Sequence, residues 1–512
     1  MLSSPESRPR SGVAADWGPW PRAVLWLALA VAPFAVLAAV HWRLLPFKEA
    51  GDYAQYLSHA KALVDGRPYG DIGYLYTPYN FMIGPRVQPP GWPLLLLPSV
   101  ALFGTGLLVP KILVTLFMVG FIVAIALRIG RGDDRWIAVA TAAAVGVGLE
   151  ASFATNSPLS DVPFMALLFG ITLLADTEVP LTWRRTLLIG LLGTFVISVR
   201  LIGVAIVPAV FLLALVRPRD RKKLLTLSLA WVVLGAIAIV IVGLDRVPFL
   251  ALALRGPEVL FKRFISIFVR YRFSLLESLL YPTPWNLIND AWHGVGLILL
   301  PLGAWDFVRR YWRSLLFCLV VAYLGVMGTA PVYDQRYLWP MWPVIVYCLF
   351  AGARRLVSWL PRISAPMQRL VPWGAAAIIA GSVATATQTP ARGELLTRPD
   401  VQALFEWVRG EAARSPDPMR VLFITPRVLT LETGVPAMGF FWAKPEDVVS
   451  EFARVRLTHV ITGSIGLLHP SLDGLETLMQ ERKSSFEPVF ENGDFTVYRL
   501  RDLYPPLPTQ GS

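Results

Sequence analysis

Residues Glu49 to Pro93 read EAGDYAQYLSHAKALVDGRPYGDIGYLYTPYNFMIGPRVQPPGWP and lie between the first long apolar run and the next. Carboxylates, tyrosines, glycines and prolines crowd this stretch in a chain that is otherwise mostly aliphatic. It reads as an extracytoplasmic loop that carries chemistry, with Asp52 as the candidate general base.

The bulk composition says what surrounds that loop. The chain has 512 residues, of which 55% are hydrophobic and 16% charged, and its mean hydropathy is +0.55. So much apolar surface exceeds what a water-soluble core of ordinary proportions can hide, so the chain reads as a membrane protein bathed in lipid. The formal charge of +12 does not mark a nucleic-acid partner, because Arg and Lys sit in short blocks between apolar runs, as topogenic charges do. The 2 cysteines, Cys318 and Cys348, fall inside apolar segments and match neither a disulfide framework nor a metal spacing.

The predicted fold is an α-helical polytopic membrane protein of about eleven crossings with a small C-terminal α/β domain outside the cytoplasm. Residues 1–22 form a polar, disordered cytoplasmic tail. Residues 23–390 form the membrane domain, with the first outer loop at 42–109, and residues 391–512 form the extracytoplasmic domain. Ala23–Val40 is an uncleaved first helix, and Leu94–Val109, broken by Pro98, Gly104 and Gly106, is juxtamembrane or re-entrant. Crossings follow at Pro110–Leu127, Trp136–Phe153 and Asp161–Ala175. Thr186–Val216 splits into two short helices turning near Arg200, because the basic blocks on both sides require the cytoplasm. Later crossings are Leu224–Leu244, Trp292–Phe307, Ser314–Ala330, Tyr337–Gly352 and Leu370–Thr387, with an interfacial amphipathic helix within Phe261–Leu280.

Past Arg392 the composition is that of a soluble domain. VLFITP and THVITG read as buried strands, Val401–Ala413 and PSLDGLETLMQERK as helices. FEPVFENGDFTVYRL reads as a hairpin turning at Asn492-Gly493. This domain shows no catalytic pattern, so packing over the membrane part or binding a partner is the expected role.

The topology gathers Glu49, Asp52, Arg86, Gln88, Asp161, Arg200, Asp334, Arg336 and Tyr337 at the outer surface. No nucleotide-sugar pool exists there, and the chain lacks a phosphate-cradling GxxxxGK[ST] loop, so an activated substrate must arrive on a lipid. Its phosphate requires cations, which Arg336 and Arg200 supply. Plainer roles stand beside these. Asp52 fits an N-cap of a helix Tyr53–Val64, His59 an interfacial side chain, Asp161 a helix cap and Arg336 an interface anchor. Gln88-Pro89-Pro90-Gly91 fits a turn aiming the next helix, and Tyr74, Tyr76 and Tyr79 fit either a sugar site or an aromatic belt.

Asp52-Tyr53, Tyr56, Ala60, Leu63, Gly66 and Tyr69, then Gln88-Pro89-Pro90-Gly91 and Leu102-Phe103-Gly104, resemble the first periplasmic loop of GT-C glycosyltransferases. The protein O-mannosyltransferase and lipid A aminoarabinose transferase branches are nearest in pattern. Ser160-Asp161-Val162-Pro163, Arg200 and Arg336-Tyr337-Leu338-Trp339-Pro340 resemble later signatures of that superfamily. The resemblance implies an inverting membrane glycosyltransferase with a polyprenyl-phosphate-linked sugar donor and a protein, lipid or glycan acceptor. By that resemblance Asp52 matches the catalytic acid of the loop, and Glu49, three residues before it, is a further catalytic candidate. It makes Arg336 with Tyr337 a donor-phosphate contact, and Arg86, Gln88, Asp161 and Arg200, gathered at the same surface, join them as candidate substrate contacts. Tyr53 stands where these branches often carry a second acid, and Gln88 where they carry His. Glu49 and Asp52 alone offer a hard cation few oxygens, so no metal cofactor is expected. A multi-pass transporter or lipid flippase of envelope glycan assembly is the alternative, against which stands the lack of an internal repeat. A non-catalytic assembly or sensor protein is a third reading, which leaves the carboxylate-rich loop unexplained.

Overall fold

The computed structural model describes residues 19–41, 50–80, 88–148, 157–242, 286–329, 334–360, 398–441, 444–463 and 473–503, with shorter pieces within 256–269 and 364–380. The chain divides into two compact units. One comprises Met1–Trp42, Leu113–Thr155 and Ser160–Thr389, the other Arg43–Ile112, Asn156–Leu159 and Pro390–Ser512.

The first unit is helical. In it α1 (Trp20–His41) packs on a later helix, Arg135–Val147, where Trp26 meets Trp136 edge-to-face at 4.6 Å. Between them in sequence, the second unit contributes α2 (Ala50–Val64) and α3 (Gly91–Phe103), and α4 (Leu108–Gly130) leads back. Arg135–Val147 is α5. Next come α6 (Asp161–Ala175), α7 (Trp183–Val199), α8 (Ile206–Val216) and α9 (Arg221–Val242). The series ends with α10 (Asn286–Tyr311), α11 (Leu315–Gly328) and α12 (Trp342–Ser358). The expected break inside Thr186–Val216 is present: Arg200 is extended (φ −146°, ψ 133°), and a 3-10 turn, Leu201–Ala205, leads into α8.

By length and composition, two described helices are apolar enough to cross a membrane, Trp20–Val40 and Leu108–Gly130, or three if the pair bent by 115° around residue 217 counts as one span. Gly91–Phe103, Arg135–Val147, Asp161–Ala175 and Leu315–Gly328 are apolar but shorter. At 1.5 Å per residue each reaches about 20 Å of a roughly 30 Å hydrocarbon layer.

Charge and small residues hold this unit together. Asp176, at the end of α6, receives Arg128 Nη2 at 2.6 Å, Arg217 Nη2 at 2.8 Å and the backbone N–H of Leu315 at 2.6 Å. Asp133 receives Arg354 through both terminal nitrogens, at 3.0 and 2.8 Å, and the Tyr347 hydroxyl at 2.7 Å. The basic blocks between apolar runs thus bond buried carboxylates. Where α10 crosses α12, a Cβ on Gly303 would fall on the backbone of Cys348, and one on Gly352 on the carbonyl of Leu299. These glycines let the two backbones meet. Cys318 and Cys348 are free and buried, in accord with their apolar setting.

The second unit holds a five-stranded sheet. Its strands are β1 (Val421–Leu422), β2 (Ala437–Met438), β3 (His459–Gly463), β4 (Phe486–Asn492) and β5 (Phe495–Leu500), in the order β2-β1-β3-β5-β4. The first three run parallel, and β5 lies antiparallel to β3 and β4. Helices α13 (Pro399–Arg414), α14 (Pro426–Thr433), α15 (Pro445–Val455) and α16 (Asp473–Glu481) accompany it. Leu422, Met438, Phe452, Val460, Leu478 and Phe486 belong to its core. The hairpin turns at Gly493-Asp494, since Asn492 pairs with Phe495; this shifts the expected turn by one residue and uses Gly493 at φ 35°.

The polar loop after α1 belongs to this same unit. Leu75 donates its N–H to Ala437 O at 2.8 Å and Ala437 donates to Gly73 O at 3.0 Å, which extends the sheet past β2.

Candidate functional site

Asp52 lies in the first turn of α2, which begins at Ala50. It is therefore inside the helix and not its N-cap, and an acid there suits the positive end of the helix dipole. Its Oδ1 accepts a 2.8 Å ion-paired hydrogen bond from Nη1 of Arg427 on α14. The same nitrogen donates to Oε1 of Gln55 at 2.9 Å, one turn further along α2.

A polar line continues from there. Gln55 Nε2 stands 3.3 Å from His59 Nε2, and His59 Nδ1 stands 2.7 Å from the carbonyl of Tyr69. With Gln55 Oε1 accepting from Arg427, its amide nitrogen donates. His59 Nε2 then accepts, and the ring proton sits on Nδ1, aimed at Tyr69 O. The imidazole lies flat on the Tyr69 ring at 4.0 Å, and the Tyr69 hydroxyl donates to the carbonyl of Gln88 at 2.9 Å. His59 is fully buried, which corrects its expected interfacial place; burial lowers its pKa to about 4 and keeps it neutral.

Gln88 thus joins this line through its backbone, and the Pro89-Pro90 corner does aim a helix. Pro90 caps α3, and Trp92, fully buried, donates Nε1–H to Pro158 O at 3.0 Å. Tyr53 turns into the interior, 1% exposed, and burial pushes its phenol up. That position therefore serves packing and offers no carboxylate. Tyr74 is buried too, whereas Tyr76 and Tyr79 are half exposed, Tyr79 stacked on Phe441 at 5.4 Å. Glu49 and Arg86 lie outside the described residues, as does most of the expected amphipathic helix at Phe261–Leu280.

In the helical unit the backbone break at Arg200 organises a second cluster. Asp161, the first residue of α6 and 3% exposed, forms an ion pair with Arg200. The Arg200 guanidinium lies 5.7 Å from the centroid of the Tyr337 ring, a cation–π arrangement. Tyr337 is itself fixed by the Tyr323 hydroxyl, which donates to its carbonyl at 2.9 Å. One turn before, Asp334 caps the 3-10 segment Gln335–Met341. It accepts the Arg336 N–H at 2.9 Å and holds the Arg336 side chain at 2.9 Å. The structure thus brings Asp161, Arg200 and Tyr337 together and pairs Arg336 with Asp334. Such a group of preset arginines suits an oxyanion such as a phosphate. Among the described residues no group of three or more His, Cys, Asp or Glu side chains could hold a metal ion.

Solved structures carry this architecture. ArnT from Cupriavidus metallidurans in the apo state superposes with a TM-score of 0.54 at 14% identity, over 95% of this chain and 100% of that one. The oligosaccharyltransferase of Archaeoglobus fulgidus, in complex with Zn and sulfate, gives 0.56 at 13% identity, over 86% of this chain and 68% of that one. The chain has the GT-C fold. A third GT-C structure, AglB from Archaeoglobus fulgidus in complex with an inhibitory peptide and a dolichol-phosphate, gives 0.51 at 12% identity, over 87% and 70%. No family model and no curated protein matches the sequence, so the GT-C likeness rests on the fold.

Sequence reasoning missed Arg427, Gln55 and Tyr69 as site residues. Asp52, Gln55 and His59 recur at i, i+3 and i+7, a readable helical face. No local signal pointed to Arg427, 375 residues from its partner.

Proposed function

We propose that this chain is an integral-membrane glycosyltransferase that moves a sugar from a polyprenyl-phosphate donor to a protein, lipid or glycan acceptor on the extracytoplasmic side of the plasma membrane. The observation that carries it is the GT-C fold over nearly the whole chain, shared with ArnT, of which 100% is covered. The basic blocks between apolar runs favour the extracytoplasmic assignment of the loop and of the C-terminal domain. AglB, bound to a dolichol-phosphate in its solved complex, favours a lipid phosphate as the carrier.

In this reading Asp52 accepts the proton of the acceptor nucleophile as that atom attacks the anomeric carbon. The bond from that carbon to the phosphate oxygen breaks as the new one forms, so the configuration inverts and the electron pair leaves with the phosphate. Arg200, placed by Asp161 and Tyr337, and Arg336, placed by Asp334, stabilise the charge that develops there. Glu49 stands beside Asp52 as a second catalytic candidate, and Arg86 and Gln88 complete the substrate contacts of the loop. No metal is assigned, because Glu49 and Asp52 supply too few oxygens for a hard cation.

The test is transfer from polyprenyl-phosphate mannose, glucose and a pentose, assayed in membranes containing the protein or Asp52→Asn at matched expression. Transfer by the parent and its loss in the variant supports the reading. Unchanged transfer in the variant removes Asp52 as base, and no transfer by the parent from any donor removes the function.

A further inference from the structure

The C-terminal domain carries no catalytic pattern of its own, yet it delivers a charged side chain onto the candidate base. We infer that Arg427 is a positioning residue for Asp52, so that the C-terminal domain completes the catalytic loop; this rests on the function proposed above.

Three observations converge on it. Nη1 of Arg427 carries two hydrogens and directs them to two residues of α2, Asp52 Oδ1 at 2.8 Å and Gln55 Oε1 at 2.9 Å. A single nitrogen therefore sets the carboxylate relative to the rest of its helix. The seat of the guanidinium is built in as well: a Cβ at Gly51 would overlap Nη2, Cζ and Nε of Arg427. The absent side chain lets the planar group lie against the first turn of α2. Finally, α14 is held to the loop at other points. Thr430 closes on Gly73, which has φ 70° and would bring a Cβ into the Thr430 methyl, and Ala437 bonds the strand at residues 73–75. The arginine thus arrives at a fixed place.

The pair is largely shielded, with side-chain exposures of 14% for Arg427 and 22% for Asp52, so solvent screens it less than a surface bridge. A carboxylate in a first turn has several rotamers, and proton abstraction requires one of them. Arg427 selects it. Because Arg427 acts by fixing the orientation of the base, its removal acts on the chemical step and leaves donor binding to other groups.

The experiment compares steady-state transfer by the full-length protein in membranes, with polyprenyl-phosphate mannose, glucose and a pentose as donors, for the parent, Arg427→Gln, Arg427→Lys and Gly51→Ala. Thermal unfolding confirms that each variant folds. Arg427→Gln is expected to lower kcat on the order of 10²-fold while the donor KM stays within about twofold. Arg427→Lys, with the charge but not the fork, is expected to recover part of it. Gly51→Ala keeps both charged groups and denies the guanidinium its seat, and is expected to lower kcat in the same direction. Parental kcat in Arg427→Gln and Gly51→Ala, or a loss confined to KM, overturns the inference while leaving the proposed function standing. Absence of transfer by the parent overturns both.

Discussion

Arg427 and Asp52 lie 375 residues apart in sequence and 2.8 Å apart in space. The most polar loop of a mostly apolar chain is therefore organised by its C-terminal α/β segment. What looks from composition like a loop followed much later by an accessory domain is one compact unit with a shared sheet edge and a shared ion pair.

If Asp52 is the base, its amide has the same size and no proton affinity. Asp52→Asn is expected to lower the transfer rate by about 10²- to 10⁴-fold, the usual contribution of a general base, without loss of protein from the membrane. Initial rates normalised to protein by immunoblot check it.

Arg200 meets Asp161 on one side and the Tyr337 ring on another. A lysine keeps the charge but not the planar fork, so Arg200→Lys is expected to raise the donor KM by about tenfold, the equivalent of roughly 1.4 kcal/mol. A donor titration against parent and variant decides it, and an unchanged KM would remove Arg200 from the phosphate site.

His59 is buried neutral with its pKa lowered to about 4 from 6.5, so the unfolded chain binds more protons than the folded one between those values. Stability from this residue is full above about pH 6.5 and is lost as pH falls toward 4, up to about 3 kcal/mol for the whole shift. His459, lowered to about 4 by burial and then by Arg499, adds in the same direction. Thermal unfolding from pH 7 to 4 is expected to show a shallower acid loss in His59→Gln than in the parent.

Asp176 serves structure, not chemistry. Its side chain is 5% exposed and receives Arg128 and Arg217, so Asp176→Asn leaves buried guanidinium charge uncompensated at a cost of about 3–5 kcal/mol. The loss is expected in detergent-extracted yield and melting temperature, with per-molecule transfer by the surviving folded protein close to the parent's. A selective loss of turnover instead would place Asp176 in the reaction.

Much of this was legible in the sequence for a local reason. Helix α6 begins at Asp161 and ends at Ala175, where the apolar run meets its flanking acids, and the chain breaks at Arg200 because a 30-residue apolar run cannot be one short span. The terminal hairpin announced itself through alternation around a glycine, and erred by one residue because register depends on cross-strand pairing. His59 was misplaced because a lone polar side chain on a helix looks exposed until the stacking Tyr69 and the Gln55 amide beside it are known.

Composition and periodicity by themselves determined that the chain is apolar and mostly helical, with a polar, acid-bearing loop and a late α/β segment, since apolar content and spacing are properties of short windows. Only the tertiary structure decided that α14 lies on α2, that Gly51 is the seat of a guanidinium, and that Asp52 is paired. Those facts come from contacts between distant segments, whose free energy no local window contains.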